Sequence, residues 1–192
     1  RPRREHRGEL VQIDGSEHAW LEDRGPKASL LVFVDDATSE LLEAEFVPEE
    51  SFFSYGNLVQ RYFRTHGMPK AFYSDRFSVF RVNRRNHLRY EPVTQFQRAL
   101  SVLDIELICA NSPQAKGRVE RANQTLQDRL VKEMRLLGIC NYEQANAFLP
   151  KFIAEYNRKL AVSPASNLDF HQSLDETLDL PFLFSIHDFR KI

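Results

Sequence analysis

Three carboxylates carry the chemistry this sequence can do: Asp14, Asp75 and Glu120, with 60 and 44 residues between them. Hard oxygen ligands of this kind suit Mg²⁺ or Mn²⁺, and no His/Cys spacing for zinc accompanies them. Three carboxylates that converge can hold two cations roughly 3.5–4 Å apart for in-line phosphoryl displacement. One ion would then activate an attacking water or 3′-hydroxyl and the other would stabilise the leaving oxygen, so the protein needs no nucleophile of its own. Glu120 lies in SPQAKGRVERANQTLQ, Ser112–Gln127, among Lys116, Arg118 and Arg121. A carboxylate in the first turn of a helix meets the positive end of the helix dipole and stays ionised. The bases beside it suit a phosphate backbone. Alone, such a residue reads as an ordinary solvated acid on a helix face; two aspartates upstream change that.

The elements that must position these groups follow from the hydrophobic pattern. ELVQIDGS, Glu9–Ser16, reads as a strand ending in a turn at Gly15, with Asp14 inside it or at its end. ASLLVFVDDA, Ala28–Ala37, is a continuous apolar run expected as a central strand buried on both faces. A third strand, Leu41–Val47, completes an antiparallel meander. Ser51 caps a helix carrying Phe52, Tyr55, Val59, Tyr62 and Phe63 at helical spacing, and Gly67 and Pro69 end it. Lys70–Asp75 is a short strand with the second aspartate at its tip.

Phe77–Pro92 is irregular and basic, with Arg81, Arg84, Arg85, His87 and Arg89; it reads as a solvated loop or as a DNA-backbone contact. Thr94 caps a helix through Leu103, and Ile105–Ala110 is a further strand. The Glu120 helix buries Val119, Ala122, Leu126, Leu130, Met134 and Leu137, with Glu120, Gln124 and Gln127 on a neighbouring edge. After Gly138, Asn141 with Gln144 resembles a capping box for a last helix to about Leu160, with Pro150 as a point of kinking. Beyond Pro164 the pattern weakens into a tail expected to be extended or partly ordered. Strands interrupted by helices in this order make a mixed α/β domain.

Composition adds bounds. The chain has 192 residues, 42% hydrophobic and 28% charged, enough for one large domain with a buried core. A formal net charge of −1 means that attraction to DNA must come from local patches. Cys109 and Cys140 form no metal or redox spacing, and Cys109 reads as a small buried hydrophobe. The absence of a signal peptide and of a membrane-length apolar run reads as a soluble, intracellular protein. RPRREHRG at residues 1–8 reads as a solvated linker and is compatible with phosphate contact. Asp35 and Asp36 read as reserve ligands or as groups that shape a turn and support the ligands. Glu17 and His18 border the cleft, while Trp20 and Tyr73 read as packing residues.

With QIDGS around Asp14, LLVFVDDAT in the second strand, FYSDRFSVF around Asp75 and NSPQAKGRVERANQTLQDRL around Glu120, the chain resembles the integrase catalytic core of DDE transposases. It is similar to bacterial insertion-sequence transposases of the ISNCY and IS481-like groups, relatives of retroviral integrases, over residues 9–160. The resemblance implies an RNase H-like α/β fold with a mixed five-stranded sheet flanked by helices. It implies Asp14, Asp75 and Glu120 as the catalytic and metal-binding triad, with Mg²⁺ or Mn²⁺ as cofactor. Cleavage of transposon ends and their joining to target DNA would follow, by a homo-oligomer in the bacterial cytoplasm at the nucleoid. Lys116, Arg118, Arg121, Arg81, Arg84 and Arg85 are the candidate DNA contacts. Gln124 and Gln127 stand where some relatives carry lysines that contact the transposon end. Residues 1–8 would link to a helix-turn-helix region that reads the terminal repeats, and residues 161–192 would be a tail or the start of a further region. Two other readings remain open from sequence: a non-catalytic DNA-binding or assembly module, and a nuclease of the same fold that cuts without joining.

Overall fold

The alternation of side chains along the second strand sets the architecture. In β2 (Ala28–Asp35), Leu31 and Phe33 point into one apolar cluster, and Leu30, Val32 and Val34 into another. A strand buried on both faces must have layers above and below it. The structure, a computed structural model, describes residues 2–75, 79, 93–109 and 117–187, and within them the layers are helices. β1 (Val11–His18), β2, β3 (Leu41–Val47), β4 (Ala71–Ser74) and β5 (Glu106–Cys109) form one sheet in the order β3-β2-β1-β4-β5. The first three strands pair antiparallel, and β1–β4 and β4–β5 pair parallel. This is the mixed five-stranded sheet of an RNase H-like α/β domain.

One face is covered by α1 (Phe52–His66) and α2 (Gln95–Val102), the other by α3 (Gly117–Leu136) and α4 (Tyr142–Leu160). Their starts are where the capping residues put them. Ser51 accepts from Ser54 N at 3.1 Å, Thr94 from Gln97 N at 3.1 Å and Asn141 from Gln144 N at 2.9 Å. Each satisfies an amide that the first turn leaves without a partner. The Gln144 side chain reaches back to Cys140 N, one residue before the cap itself, and α4 runs unbroken through Pro150.

Two asparagines show how the sheet's edge is closed. Asn157 takes Leu41 N at 2.8 Å and gives to Leu41 O at 2.9 Å; Asn146 does the same to Phe46 at 2.8 and 3.0 Å. Eleven helical residues and five strand residues both span about 17 Å. Side-chain amides of α4 therefore stand in for a sixth strand on β3, which removes an edge open to pairing.

Three expectations need correction. Leu137 lies past the last residue of α3 and is exposed, so it is not part of the buried stripe; Asn123 and Val131 are. The tail, expected to be extended or partly ordered, is extended for most of its length but docked: Ser166 N bonds Glu5 O, Gln172 bridges Met68, and a short helix α5 (Leu180–Leu183) delivers Leu180 and Phe184 into the core. The basic N-terminal residues are likewise engaged. Arg3 bonds Ala37 O and Ser39, and Arg7 pairs with Glu40 at 2.6 Å and Asp169 at 2.8 Å. Trp20 and Tyr73 are packing residues as expected, and Cys109 is half-buried. Among the described residues, no helix is long and apolar enough to cross a membrane.

Candidate active site

The parallel pairing of β1 and β4 brings the two aspartates together. Val11 pairs with Phe72 and Gln12 with Tyr73. Extending that register by two residues sets Asp14 opposite Asp75, just where β4 ends and the strands part. Paired residues of parallel strands point to the same face, and Asp14 faces the layer that holds α3, where Asn123 bonds it.

Helix α3 runs alongside β1 in the same direction and is bonded to it turn by turn. Val119 N donates to Gln12 Oε1 at 3.1 Å, Asn123 Nδ2 to Asp14 Oδ2 at 2.9 Å, and Gln127 Nε2 to Ser16 Oγ at 3.0 Å. Four helical residues rise about 6 Å and two strand residues just under 7 Å. Every second residue of β1 thus meets the next turn of α3. Glu120, half-buried, sits in the first turn of that helix, on the side that runs past Asp14. Asp14 is half-buried and Asp75 exposed, so the site opens to solvent from the Asp75 side.

Below this opening lies a polar layer that the sequence did not reveal. Asn123 is 8% exposed and spends its amide on Asp14, while its Oδ1 is buried with no hydrogen-bond partner. Gln12 and Asp36 are both fully buried, and Arg118 pairs with Asp36 at 2.9 Å. Asp35 serves the turn instead: it accepts from Gly8 N, Thr38 N and Thr38 Oγ1 at 2.8–2.9 Å, and burial pushes its carboxyl up.

On the opposite face a fourth carboxylate approaches. A Cβ built on Gly15 would fall 2.1 Å from the Glu50 carboxyl carbon, so Glu50 occupies the space a side chain at position 15 would need. The buried Tyr55 hydroxyl donates to Glu50 Oε2 at 2.8 Å. Burial, then the charges of Glu50, Asp14 and Asp75, push that phenol well above its usual range. Gly15→Ala should therefore displace Glu50 and break its bond to Tyr55, costing about 1–3 kcal/mol. Gly117→Ala, with nothing within 4 Å of the new methyl, should be neutral or stabilise by about 0.4–1 kcal/mol. Urea midpoints of the two variants check the opposite signs.

The proposed DNA contacts divide. Arg121 is exposed on α3 next to Glu120. Arg118 is mostly covered and held by Asp36. Lys116, Arg81, Arg84 and Arg85 lie outside the described residues. Gln124 is exposed, whereas Gln127 is tied to Ser16. Glu17 and His18 are exposed at the end of β1, with His18 edge-on to Trp20.

For a divalent cation the donors have the right chemistry: hard carboxylate oxygens from Asp14, Asp75 and Glu120, beside a buried amide oxygen of Asn123 left without a partner. Among the described residues, no three His, Cys, Asp or Glu side chains already stand close enough to share an ion.

The chain is 57% identical over 175 residues to y4bF of Sinorhizobium fredii (strain NBRC 101917 / NGR234), assigned as a transposase; the match covers 91% of this chain and 38% of that protein. It is 39% identical over 162 residues to the transposase for insertion sequence IS1202 of Streptococcus pneumoniae, covering 83% and 34%. The chain thus spans little more than a third of either relative. No protein-family model matches it. In fold it is similar to the HTLV-2 integrase catalytic core domain in complex with magnesium, with a TM-score of 0.61 at 16% identity, covering 87% of this chain and 98% of that one. The simian T-cell lymphotropic virus intasome in complex with a PP2A regulatory subunit gives a TM-score of 0.65 at 16% identity, covering all of this chain and 59% of that one.

Proposed function

We propose that this chain, which belongs by sequence with the insertion-sequence transposases and by fold with the retroviral integrase catalytic cores, is the catalytic core of a DNA transposase. Its residues 9–160 form the core proper. The observation that carries this reading is the β1–β4 register, which sets Asp14 against Asp75 beside the helix that bears Glu120.

Asp14, Asp75 and Glu120 would hold Mg²⁺ or Mn²⁺. When bound, such ions activate the attacking water or 3′-hydroxyl and stabilise the leaving oxygen. Asn123 orients the Asp14 carboxylate through its 2.9 Å bond. Arg121, exposed one residue after Glu120, would contact the DNA backbone, and Lys116, Arg81, Arg84 and Arg85 are the other candidate contacts by residue type. Cutting at the element's ends and joining the freed 3′-hydroxyl to target DNA are then two uses of one site. Two ends must be brought together, so the working form is a homo-oligomer acting on DNA in the bacterial cytoplasm.

The test is a labelled-duplex assay with Mg²⁺ or Mn²⁺, read for joined as well as cleaved strands. Joined products establish a transposase. Cleaved but unjoined strands establish a nuclease of this fold, and DNA binding without either product establishes a non-catalytic module.

A further inference from the structure

We propose that Gln12, Asp36 and Arg118 are positioning residues: a buried polar relay that locks the first turn of α3 onto the sheet and so fixes where Glu120 stands relative to Asp14 and Asp75. This rests on the reading of those three carboxylates as the metal site.

Apolar packing alone would hold α3 without fixing its register. Val119, Ala122, Leu126, Leu130 and Met134 press on the sheet, but such contact is non-directional and tolerates sliding or rotation. One residue of slippage moves a helical side chain about 1.5 Å along the axis and turns it by about 100°. For a metal ligand either shift is disabling. The relay supplies the missing direction.

Gln12 uses both ends of its buried amide: Nε2 donates to Asp36 Oδ1 at 2.6 Å and Oε1 accepts from Val119 N at 3.1 Å. Val119 N belongs to the first turn of α3, where amides have no acceptor within the helix. Asp36 Oδ1 also accepts from Arg118 Nη1 at 2.9 Å, and its Oδ2 from Arg4 N at 2.8 Å. Residues 118 and 119 are therefore gripped from β1 and from the end of β2, and Glu120 is the next residue in the chain.

A side-chain amide is needed at position 12. Leucine offers neither donor nor acceptor, and a glutamate offers only acceptors and would face the Asp36 carboxylate. Arg118, which by type alone reads as a phosphate contact, serves instead as the partner of the buried Asp36 carboxylate.

The test exploits the stricter geometry of Mg²⁺, which demands a near-ideal octahedron where Mn²⁺ is more forgiving. Gln12→Leu is compared with wild type for Mg²⁺ affinity by isothermal titration calorimetry without DNA, and for strand transfer in each metal. Mg²⁺ affinity is expected to fall at least about tenfold. Mg²⁺-supported transfer should fall about 10²-fold, the usual cost of a misplaced group, and Mn²⁺-supported transfer markedly less. Arg118→Gln, on a partly exposed residue, should weaken Mg²⁺ binding in the same direction by a few-fold, and Arg118→Lys should restore it. That pair answers the question even if Gln12→Leu does not fold. Unchanged Mg²⁺ affinity in the folded variants, or equal loss in both metals alongside a lowered melting temperature, would overturn the relay. A wild-type protein that binds no Mg²⁺ would overturn the carboxylate reading and this inference with it.

Discussion

Asp75→Asn leaves the protein folded and lowers both strand cleavage and joining by at least about 10³-fold, the scale on which loss of a group that organises transition-state charge is felt. Asp75 is exposed at the tip of β4, beyond the last paired residue of that strand. Replacing a carboxylate there with an isosteric amide removes no packing and should change stability by no more than about 0.5 kcal/mol. The substitution takes away one negative charge facing Asp14, so any small change should be toward greater stability. The informative pair of measurements is a urea midpoint within error of wild type together with the absence of product. A variant that is inactive only because it has unfolded would not answer the question, and the exposed position of Asp75 guards against that.

The second large effect is on stability. Phe72→Ala should cost about 3–5 kcal/mol, a large part of the roughly 5–15 kcal/mol that holds a domain together. Phe72 is fully buried at the middle of the sheet, with its ring 5.7 Å from Phe33, 6.0 Å from Tyr62 and 6.3 Å from Phe63. These neighbours come from β2 and α1, which are fixed by their own contacts, so the space left by the ring cannot simply close. The urea midpoint should fall by about 1–2 M. Phe53→Ala is the internal control: that ring is 55% exposed and its loss should cost less than about 0.5 kcal/mol. Phe72 also shapes the site, because it lies in the β1–β4 pairing three residues before Asp75.

Local signals were legible. The unbroken run in β2, the caps Ser51, Thr94 and Asn141, and the helical spacing of Tyr55, Val59 and Tyr62 depend on neighbours within a turn or a strand. So did the existence of a carboxylate on β1, at the tip of β4 and at the start of α3, although β1 runs past the turn expected at Gly15 to His18, which leaves Asp14 in mid-strand. The polar layer beneath the site was not legible. In β1, Gln12 falls at an alternate polar position and reads as solvent-facing; it is buried because α3 covers it, and the amide it meets lies 107 residues away. Asn123 interrupts the apolar stripe of α3 and resembles a surface residue until Asp14 is placed opposite. Arg118 and Asp36 are 82 residues apart, and no spacing rule joins them. A polar residue at a position where periodicity predicts burial was the one available sign, and only at Asn123 was it present. The docked tail was missed for a related reason: Leu180 and Phe184 are too few to show a period, yet both find the core.

Transposase chemistry at this site requires that Asp14, Asp75 and Glu120 hold a divalent cation together. The most direct measurement is anomalous diffraction at the manganese edge from crystals soaked in Mn²⁺. An anomalous peak coordinated by carboxylate oxygens of Asp14 and Asp75, with Glu120 turned in to join them, is the predicted result. A fully soaked crystal with no peak between these residues, or with manganese bound only elsewhere, would contradict it.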